Sequence, residues 1–171
     1  MDPTTSSTSS STSTSSTTTT MPTGTDYGSD VEFSGVADMT PDYLLGIPVV
    51  VPQASVLTNL ALIAKASGGN VVLGLYASDG AGLPAQLVAS TAATPITAGV
   101  MEMPVSPTVI PAGTYWIAGV YDTTAVIGED GSDPKAPAVY VPLAFGQPLP
   151  NPFGNSTTYF GQRFNYYLTV Q

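Results

Sequence analysis

The chain changes character sharply at about residue 27, and this change limits what it can fold into. Every residue from Thr4 to Thr20 is serine or threonine. A tract with no apolar side chain to bury cannot offset the entropy lost on ordering, so it stays extended and solvated. We therefore predict a disordered Ser/Thr-rich stalk over residues 1–26 and one folded domain over residues 27–171.

Short β-prone runs separated by Gly, Pro, Asn and Asp fill the rest of the chain. In the run 100–105, Met101, Met103 and Val105 alternate with Val100 and Glu102, so both methionines are predicted to face inward and Glu102 to face water. No stretch combines the 3.6-residue periodicity and the caps of an amphipathic helix. The predicted fold is all-β, a two-sheet antiparallel β-sandwich of jelly-roll type.

Individual elements are predicted from turn residues and apolar runs. The run 43–51 is interrupted by Pro48, which is typical of an edge strand or a bend. The run 56–66 is apolar on both faces and predicts a central strand. The pair of glycines in Ser67–Asn70 predicts a hairpin turn. Residues 128–137 are predicted to be a loop, and Trp116, which alternates with small apolar residues, is predicted to lie in the core.

The composition excludes several classes of function. With no cysteine and no histidine, the chain has no disulfide, no thiol nucleophile and no imidazole base, so we expect no enzyme. Three cationic side chains against twelve carboxylates give a net charge of -9, which argues against binding to nucleic acid or to an anionic membrane. No apolar stretch is long enough to insert into a membrane.

The low content of charged residues bears on where the protein works. Charged residues are 9% of the chain, against roughly 25% in an average soluble protein. This composition, together with the Ser/Thr tract, favours an extracellular or cell-surface location. The chain shows no basic region followed by an apolar run, so an export signal is expected to lie outside this sequence.

Turn and core motifs between residues 56 and 121 carry a resemblance to a known kind of module. They are LYASDGAGLPAQL at 75–87, TAG at 97–99 and IPAGTYWIA at 110–118. The segment resembles β-sandwich accessory modules of bacterial secreted and surface proteins, which are similar to carbohydrate-binding domains. The resemblance implies a sandwich fold and an accessory role outside the cytoplasm, and it assigns no ligand residue.

Aromatic residues near the C-terminus are the candidates for ligand binding. Sugar rings present C–H faces that pack on aromatic side chains, and Tyr159, Phe160 and Tyr167 fall beside loop residues or opposite the inward stripe of the last strand. The alternative is that these rings belong to the core, as most aromatics of a sandwich do.

The acidic run near residue 130 is the candidate metal site. Glu129, Asp130 and Asp133 lie close enough in sequence to offer oxygen ligands to Ca²⁺, which is the one cofactor that the sequence suggests. The run lacks the full alternating spacing of an EF-hand loop, and the alternative is a solvated turn.

Two functions from different classes remain open. The first is a non-catalytic extracellular or cell-surface module that binds glycans or another surface ligand, such as a surface protein. The second is a structural subunit of a self-assembling surface layer, filament or coat, because unpaired edge strands can template association with further copies.

Overall fold

Two antiparallel β-sheets stack face to face in the computed structural model, which describes residues 24–171. The first sheet contains β1 (Thr25–Gly28), β2 (Gly35–Met39), β4 (Ser55–Ala64), β8 (Gly99–Ile110), β10 (Ala125–Asp130), β13 (Arg163–Phe164) and β14 (Tyr166–Val170). The second sheet contains β3 (Tyr43–Val51), β5 (Asn70–Ser78), β6 (Pro84–Ser90), β7 (Thr94–Pro95), β9 (Gly113–Tyr121), β11 (Pro137–Pro142) and β12 (Thr157–Phe160). The all-β, two-sheet sandwich predicted from the sequence is confirmed.

The predicted stalk over residues 1–26 lies mostly outside the described residues, which begin at Gly24. Thr25 and Asp26, however, already pair with β14 as part of β1. Strand β1 therefore begins two residues before the predicted boundary. No helix among the described residues is long and apolar enough to cross a membrane.

The order of the strands leaves different strands at the edges of the two sheets. In the second sheet the order is β12-β11-β3-β9-β5-β6, with β7 beside β5. In the first sheet β8 pairs with β4, β4 with β14, and β14 with β1. Strand β10 pairs with the end of β4, and it also pairs with β2 and with β13. Edge strands β2 and β12 flank the space between the sheets.

The core between the sheets follows from the two-residue period of the strands. Met101 and Met103 are buried and Glu102 is exposed, as predicted. On β14, Tyr166 and Leu168 are buried in the same core. Each large apolar side chain removed from water in this way stabilises the fold by about 1.5–3 kcal/mol.

The prediction of a hairpin at Ser67–Asn70 is wrong. Gly68 and Gly69 do adopt positive φ angles, of 138° and 72°, but the turn carries the chain from β4 in the first sheet to β5 in the second. Strand β4 already pairs on its two sides with β8 and β14, so β5 finds no free edge beside it.

Pairing also changes the limits of two other predicted elements. The run 43–51 forms β3 inside the second sheet, between β11 and β9, but its pairing with β11 ends at Gly46, before Pro48. A proline without an N–H is therefore accommodated. In the predicted loop 128–137, Glu129 and Asp130 belong to β10 because they pair with β13, so the connection between strands covers residues 131–136.

A second apolar layer lies on the outer face of the second sheet. Trp116 is buried there, as predicted, and its indole Nε1 donates a hydrogen bond to the carbonyl oxygen of Gly82 at 3.1 Å. The chain between β11 and β12 covers this layer, and we call residues 143–156 the cover segment. Its Phe153 packs edge-to-face on Tyr76, with ring centroids 4.8 Å apart.

Tyr76 provides a test of this layer because its hydroxyl is buried without a hydrogen-bond partner among residues 24–171. Removing an unpaired buried hydroxyl takes away a desolvation cost, so Tyr76→Phe is expected to leave stability unchanged or raise it by up to about 1 kcal/mol. Tyr121→Phe is the matched control, since it breaks a buried hydroxyl pair and is expected to cost about 1–3 kcal/mol. Urea unfolding of both variants compares them. A loss of stability in Tyr76→Phe as large as in the control would contradict this description.

The outer face of the first sheet is crossed by residues 29–34, which connect β1 to β2 and which we call the arm. The buried side chain of Asn165 holds it. Its amide nitrogen donates to the carbonyl oxygens of Ser29 and Val31, at 3.0 and 2.7 Å, and its oxygen accepts from the backbone N–H of Phe33 at 2.9 Å. The Lys65 ammonium also binds the arm, through an ion pair with Glu32.

Candidate functional site

A cleft of about 420 Å³ opens between the edges of the two sheets, where β2 faces β12. This volume lies within the range of roughly 300–1,000 Å³ that is usual for small-molecule sites. We call it the tyrosine cleft because four of its seven lining residues are tyrosines. Its lining residues are Met39, Thr40, Tyr43, Leu45, Tyr121, Tyr140 and Tyr159.

The strand register explains why the rings meet at this place. Tyr43 and Leu45 share the inward face of β3, since side chains two residues apart point the same way. Tyr140 of β11 lies directly opposite Leu45. On the next strand, β12, Tyr159 lies opposite Ala138, which is two residues from Tyr140 on the same face of β11. Three neighbouring strands therefore each place a tyrosine on one surface.

The exposed wall of the cleft is a row of three rings. The ring centroids of Tyr43 and Tyr140 are 5.8 Å apart with the ring planes at 69°, and those of Tyr140 and Tyr159 are 5.9 Å apart at 56°. Contacts of this geometry contribute about 0.5–1.5 kcal/mol each beyond the area they bury. The rings therefore hold one another in place before any ligand arrives.

The floor of the cleft is the buried Tyr121, and the buried Tyr166 lies behind it. The Tyr121 and Tyr166 hydroxyl oxygens are 2.6 Å apart and share a hydrogen bond. Burial raises the pKa of both hydroxyls. The ring of Phe164 packs behind Tyr166 at 6.0 Å. The floor is thus a buried ring whose hydroxyl already has a hydrogen-bond partner.

The cleft presents uncharged polar groups rather than charges. Burial, followed by the nearby Tyr140 and Glu129, raises the pKa of Tyr159 to about 12, so its phenol stays protonated at neutral pH. A protonated phenol both donates and accepts hydrogen bonds. None of the seven lining residues is charged, and none is a carboxylate, an amine or an imidazole. The arrangement suits binding through ring faces and hydroxyl groups.

The three aromatic residues proposed from the sequence lie in three different places. Tyr159 lines the tyrosine cleft. Phe160, which is 63% exposed, is the next residue along β12 and is not part of the lining. Tyr167 is only 3% exposed and packs with Ala61 and Ile63 on the first sheet, so its ring offers no face to a ligand from solution.

Sequence reasoning missed Tyr43, Tyr121 and Tyr140 as site residues. Tyr43 begins β3 and Tyr121 ends β9, so each lies next to a connection between strands. Ends of strands adjoin loops, where binding residues concentrate, and that was the available signal. Tyr140 gave no such signal, since its place in the cleft depends on the pairing of β11 with β3 and β12.

Two of the three acidic residues proposed as calcium ligands, Asp130 and Asp133, have other partners. Glu129 and Asp130 belong to β10, and Asp133 lies in the 131–136 connection. Asp130 forms an ion pair with Arg163, whose guanidinium, together with the Ser132 N–H, lowers the pKa of Asp130 to about 2. The Asp133 carboxylate accepts the backbone N–H of Lys135 at 2.9 Å.

The geometry of these carboxylates fits the solvated-turn interpretation better than a metal site. Within residues 24–171, no group of three or more Asp, Glu, His or Cys side chains is arranged so that it could hold a metal ion. The hydrogen bonds of Asp130 and Asp133 instead shape the turn from β10 towards β11.

A scan of protein-family models and a search of curated proteins gave no match to this chain. The resemblance to accessory modules of bacterial secreted and surface proteins therefore stays a prediction.

Proposed function

We propose that this chain is a non-catalytic binding module of a secreted or cell-surface protein, and that it binds a glycan in the tyrosine cleft. The observation that carries the proposal is the row formed by Tyr43, Tyr140 and Tyr159, backed by the buried Tyr121. The content of 9% charged residues supports a place outside the cytoplasm. The motifs at 75–87, 97–99 and 110–118, which resemble those of carbohydrate-binding accessory modules, support the same class.

The chemistry of the cleft suits a sugar ring. A pyranose has C–H faces that pack on aromatic rings, and its hydroxyl groups both donate and accept hydrogen bonds. Three hydroxyl groups of the cleft can each donate a hydrogen bond to a sugar hydroxyl and accept one from it, namely those of Thr40, Tyr140 and Tyr159. Because the rings already contact one another, little conformational entropy is lost on binding, which favours affinity.

Self-assembly into a layer or filament has weaker support. Strand β8 is an edge of the first sheet and contains Pro104 and Pro107, and β7 beside β5 contains Pro95. Prolines on an edge lack the N–H that a further strand would need, so they hinder edge-to-edge pairing. We keep this alternative as an outcome of the binding experiment.

The proposal is tested by measuring binding of the full chain to a panel of polysaccharides, with and without calcium. Soluble glucan, mannan, xylan and galactan and insoluble cellulose and chitin cover the main neutral classes. We expect saturable binding to at least one class, and we expect Tyr140→Ala to weaken it by about tenfold or more, the equivalent of about 1.4 kcal/mol. Removal of a ring from the middle of the row takes away its contacts with ligand and neighbours.

Phe160→Ala is the matched control, because Phe160 is an exposed aromatic residue on the same edge of the sheet but outside the cleft. It is expected to leave the affinity unchanged. Equal losses of affinity in Tyr140→Ala and Phe160→Ala would show that the ligand binds outside the tyrosine cleft. A chain that binds nothing in the panel but forms defined particles as its concentration rises would favour the structural subunit instead.

A further inference from the structure

We infer that the tyrosine cleft selects uncharged saccharides and rejects glycans that carry carboxylate or sulfate groups, an inference that rests on the glycan function proposed above. It concerns which class of sugar the site takes. Neutral and anionic glycans offer similar ring faces, so aromatic side chains alone do not separate them. The distribution of charge around the cleft does.

The lining supplies no cation to an anionic sugar. All seven of its residues are uncharged. A carboxylate or sulfate that leaves water needs an opposite charge or several hydrogen-bond donors to replace its hydration. Phenol and threonine hydroxyls serve a sugar hydroxyl equally well as donors or acceptors, but they do not neutralise a full negative charge.

The charge that acts on the cleft from outside is negative. Glu129 lies on the same face of β10 as Ala125 and Ile127, which are buried in the core, so it faces the space between the sheets. Its carboxylate also helps to raise the pKa of Tyr159. Neither ion pair formed by residues 24–171 includes Glu129, so its charge is not neutralised by a neighbour. Glu129 does not line the cleft, but an anionic sugar packed on Tyr159 would lie in the field of its carboxylate, and like charges at an interface oppose binding.

The three cationic side chains of the chain are placed elsewhere. Lys65 pairs with Glu32 at 2.7 Å on the arm. Arg163 pairs with Asp130, and its guanidinium lies 5.4 Å from the centre of the Phe33 ring. Lys135 is exposed in the 131–136 connection and does not line the cleft. With a net charge of -9, the whole molecule adds to the repulsion of an anionic polymer.

The test compares each neutral hexose polymer that binds, whether soluble or insoluble, with the same polymer after oxidation of its C6 hydroxyls to carboxylates. Xylose has no C6 hydroxyl, so if xylan binds it is compared with a xylan that carries glucuronic acid side groups. Binding of the full chain is measured at ionic strengths of about 0.01 M and about 1 M, where the screening length is roughly 30 Å and 3 Å. We expect the oxidised polymer to bind roughly tenfold or more weakly at low salt. We expect the difference to shrink at high salt, while binding of the neutral polymer changes little.

Two substitutions show whether the cleft itself makes the selection. Thr40→Lys adds a cation to the exposed rim of the lining and is expected to improve binding of the oxidised polymer by about threefold to fivefold at low salt. Thr158→Lys adds the same charge on β12 outside the lining and is expected to improve it by less. Glu129→Gln is expected to reduce the difference in affinity between the neutral and the oxidised polymer, without weakening binding of the neutral polymer.

The outcomes separate this inference from the function on which it rests. Tight, Tyr140-dependent binding of the oxidised polymer would overturn the charge selection and leave a glycan-binding cleft. Equal gains in Thr40→Lys and Thr158→Lys would show that overall charge, and not the cleft, decides. If neither the neutral nor the oxidised polymers bind, the glycan function itself fails, and the inference fails with it.

Discussion

Replacing Phe153 with alanine is expected to lower the free energy of unfolding by about 3–5 kcal/mol, the usual cost of truncating a buried phenylalanine. Phe153 is 1% exposed and its ring packs edge-to-face on Tyr76. Its backbone N–H also donates to the carbonyl oxygen of Ala85 on β6 at 2.8 Å. Among the side chains of the cover segment, Phe153 is the fully buried one, so its loss releases the segment from the outer layer.

The chain contains its own probe of this change. Trp116 is the one tryptophan in the sequence and is buried beneath the cover segment. Urea unfolding followed by its fluorescence measures the stability of Phe153→Ala, and its native emission is expected to shift to the red as water reaches the indole. Gln147→Ala, at an exposed position of the same segment, is expected to change stability by less than about 0.5 kcal/mol. A comparable change in both variants would mean that the segment is not anchored through Phe153.

Replacing Asn165 with alanine is expected to cost about 2–4 kcal/mol, because a lost partner leaves buried polar groups unpaired at about 1–3 kcal/mol each. Asn165 is fully buried and makes three hydrogen bonds to the backbone of the arm. Alanine satisfies none of them. We expect less than the summed cost of three unpaired groups because Val31 is 73% exposed. Water can therefore reach this part of the arm and replace a lost hydrogen bond.

Hydrogen exchange locates the effect of Asn165→Ala within the molecule. The amide of Phe33, which donates to the Asn165 side chain, is expected to lose protection more than the amides of β4 or β9. Asn165→Asp keeps an oxygen for the Phe33 N–H but loses both donors, so it is expected to retain protection at Phe33 while the arm weakens. Asn155→Ala changes an exposed residue and serves as the control. Protection at Phe33 that is unchanged in Asn165→Ala would contradict the proposed role of this side chain.

The faces of the strands could be predicted from the sequence because burial follows a period of two. The inward Met101 and Met103, the outward Glu102 and the buried Trp116 all lie where alternation placed them. Strand β4 is central, as its two apolar faces indicated. These features depend on one strand at a time, so local sequence is sufficient to predict them.

The pairing of strands could not be predicted in the same way, because an apolar strand does not specify its neighbour. The turn at Ser67–Asn70 has the glycines of a hairpin and yet connects two different sheets. The buried Asn165 gave no signal either, since its partners Ser29, Val31 and Phe33 lie more than 130 positions earlier in the chain.

The candidate site depended on this missing information. Tyr43 and Tyr140 are almost a hundred residues apart in the sequence, and they meet because β3 pairs with β11. Tyr159 could be proposed from its position near a loop, whereas Tyr167, on the alternate face of the last strand, is covered there. Aromatic residues that line the cleft could thus be distinguished from those that are covered only when the strand register and the covered faces of the sheets were known.

The central claim, that the tyrosine cleft holds the ligand, is tested most directly by nuclear magnetic resonance of the labelled full chain. Fragments of the polysaccharide that binds most tightly in the panel are titrated in, and the residues whose signals move are mapped. We predict that the largest changes fall on Thr40, Tyr43, Tyr140 and Tyr159, with Phe160 and the edge strand β8 little affected. Changes concentrated on β8 or on the cover segment, with the cleft residues unmoved, would contradict the account.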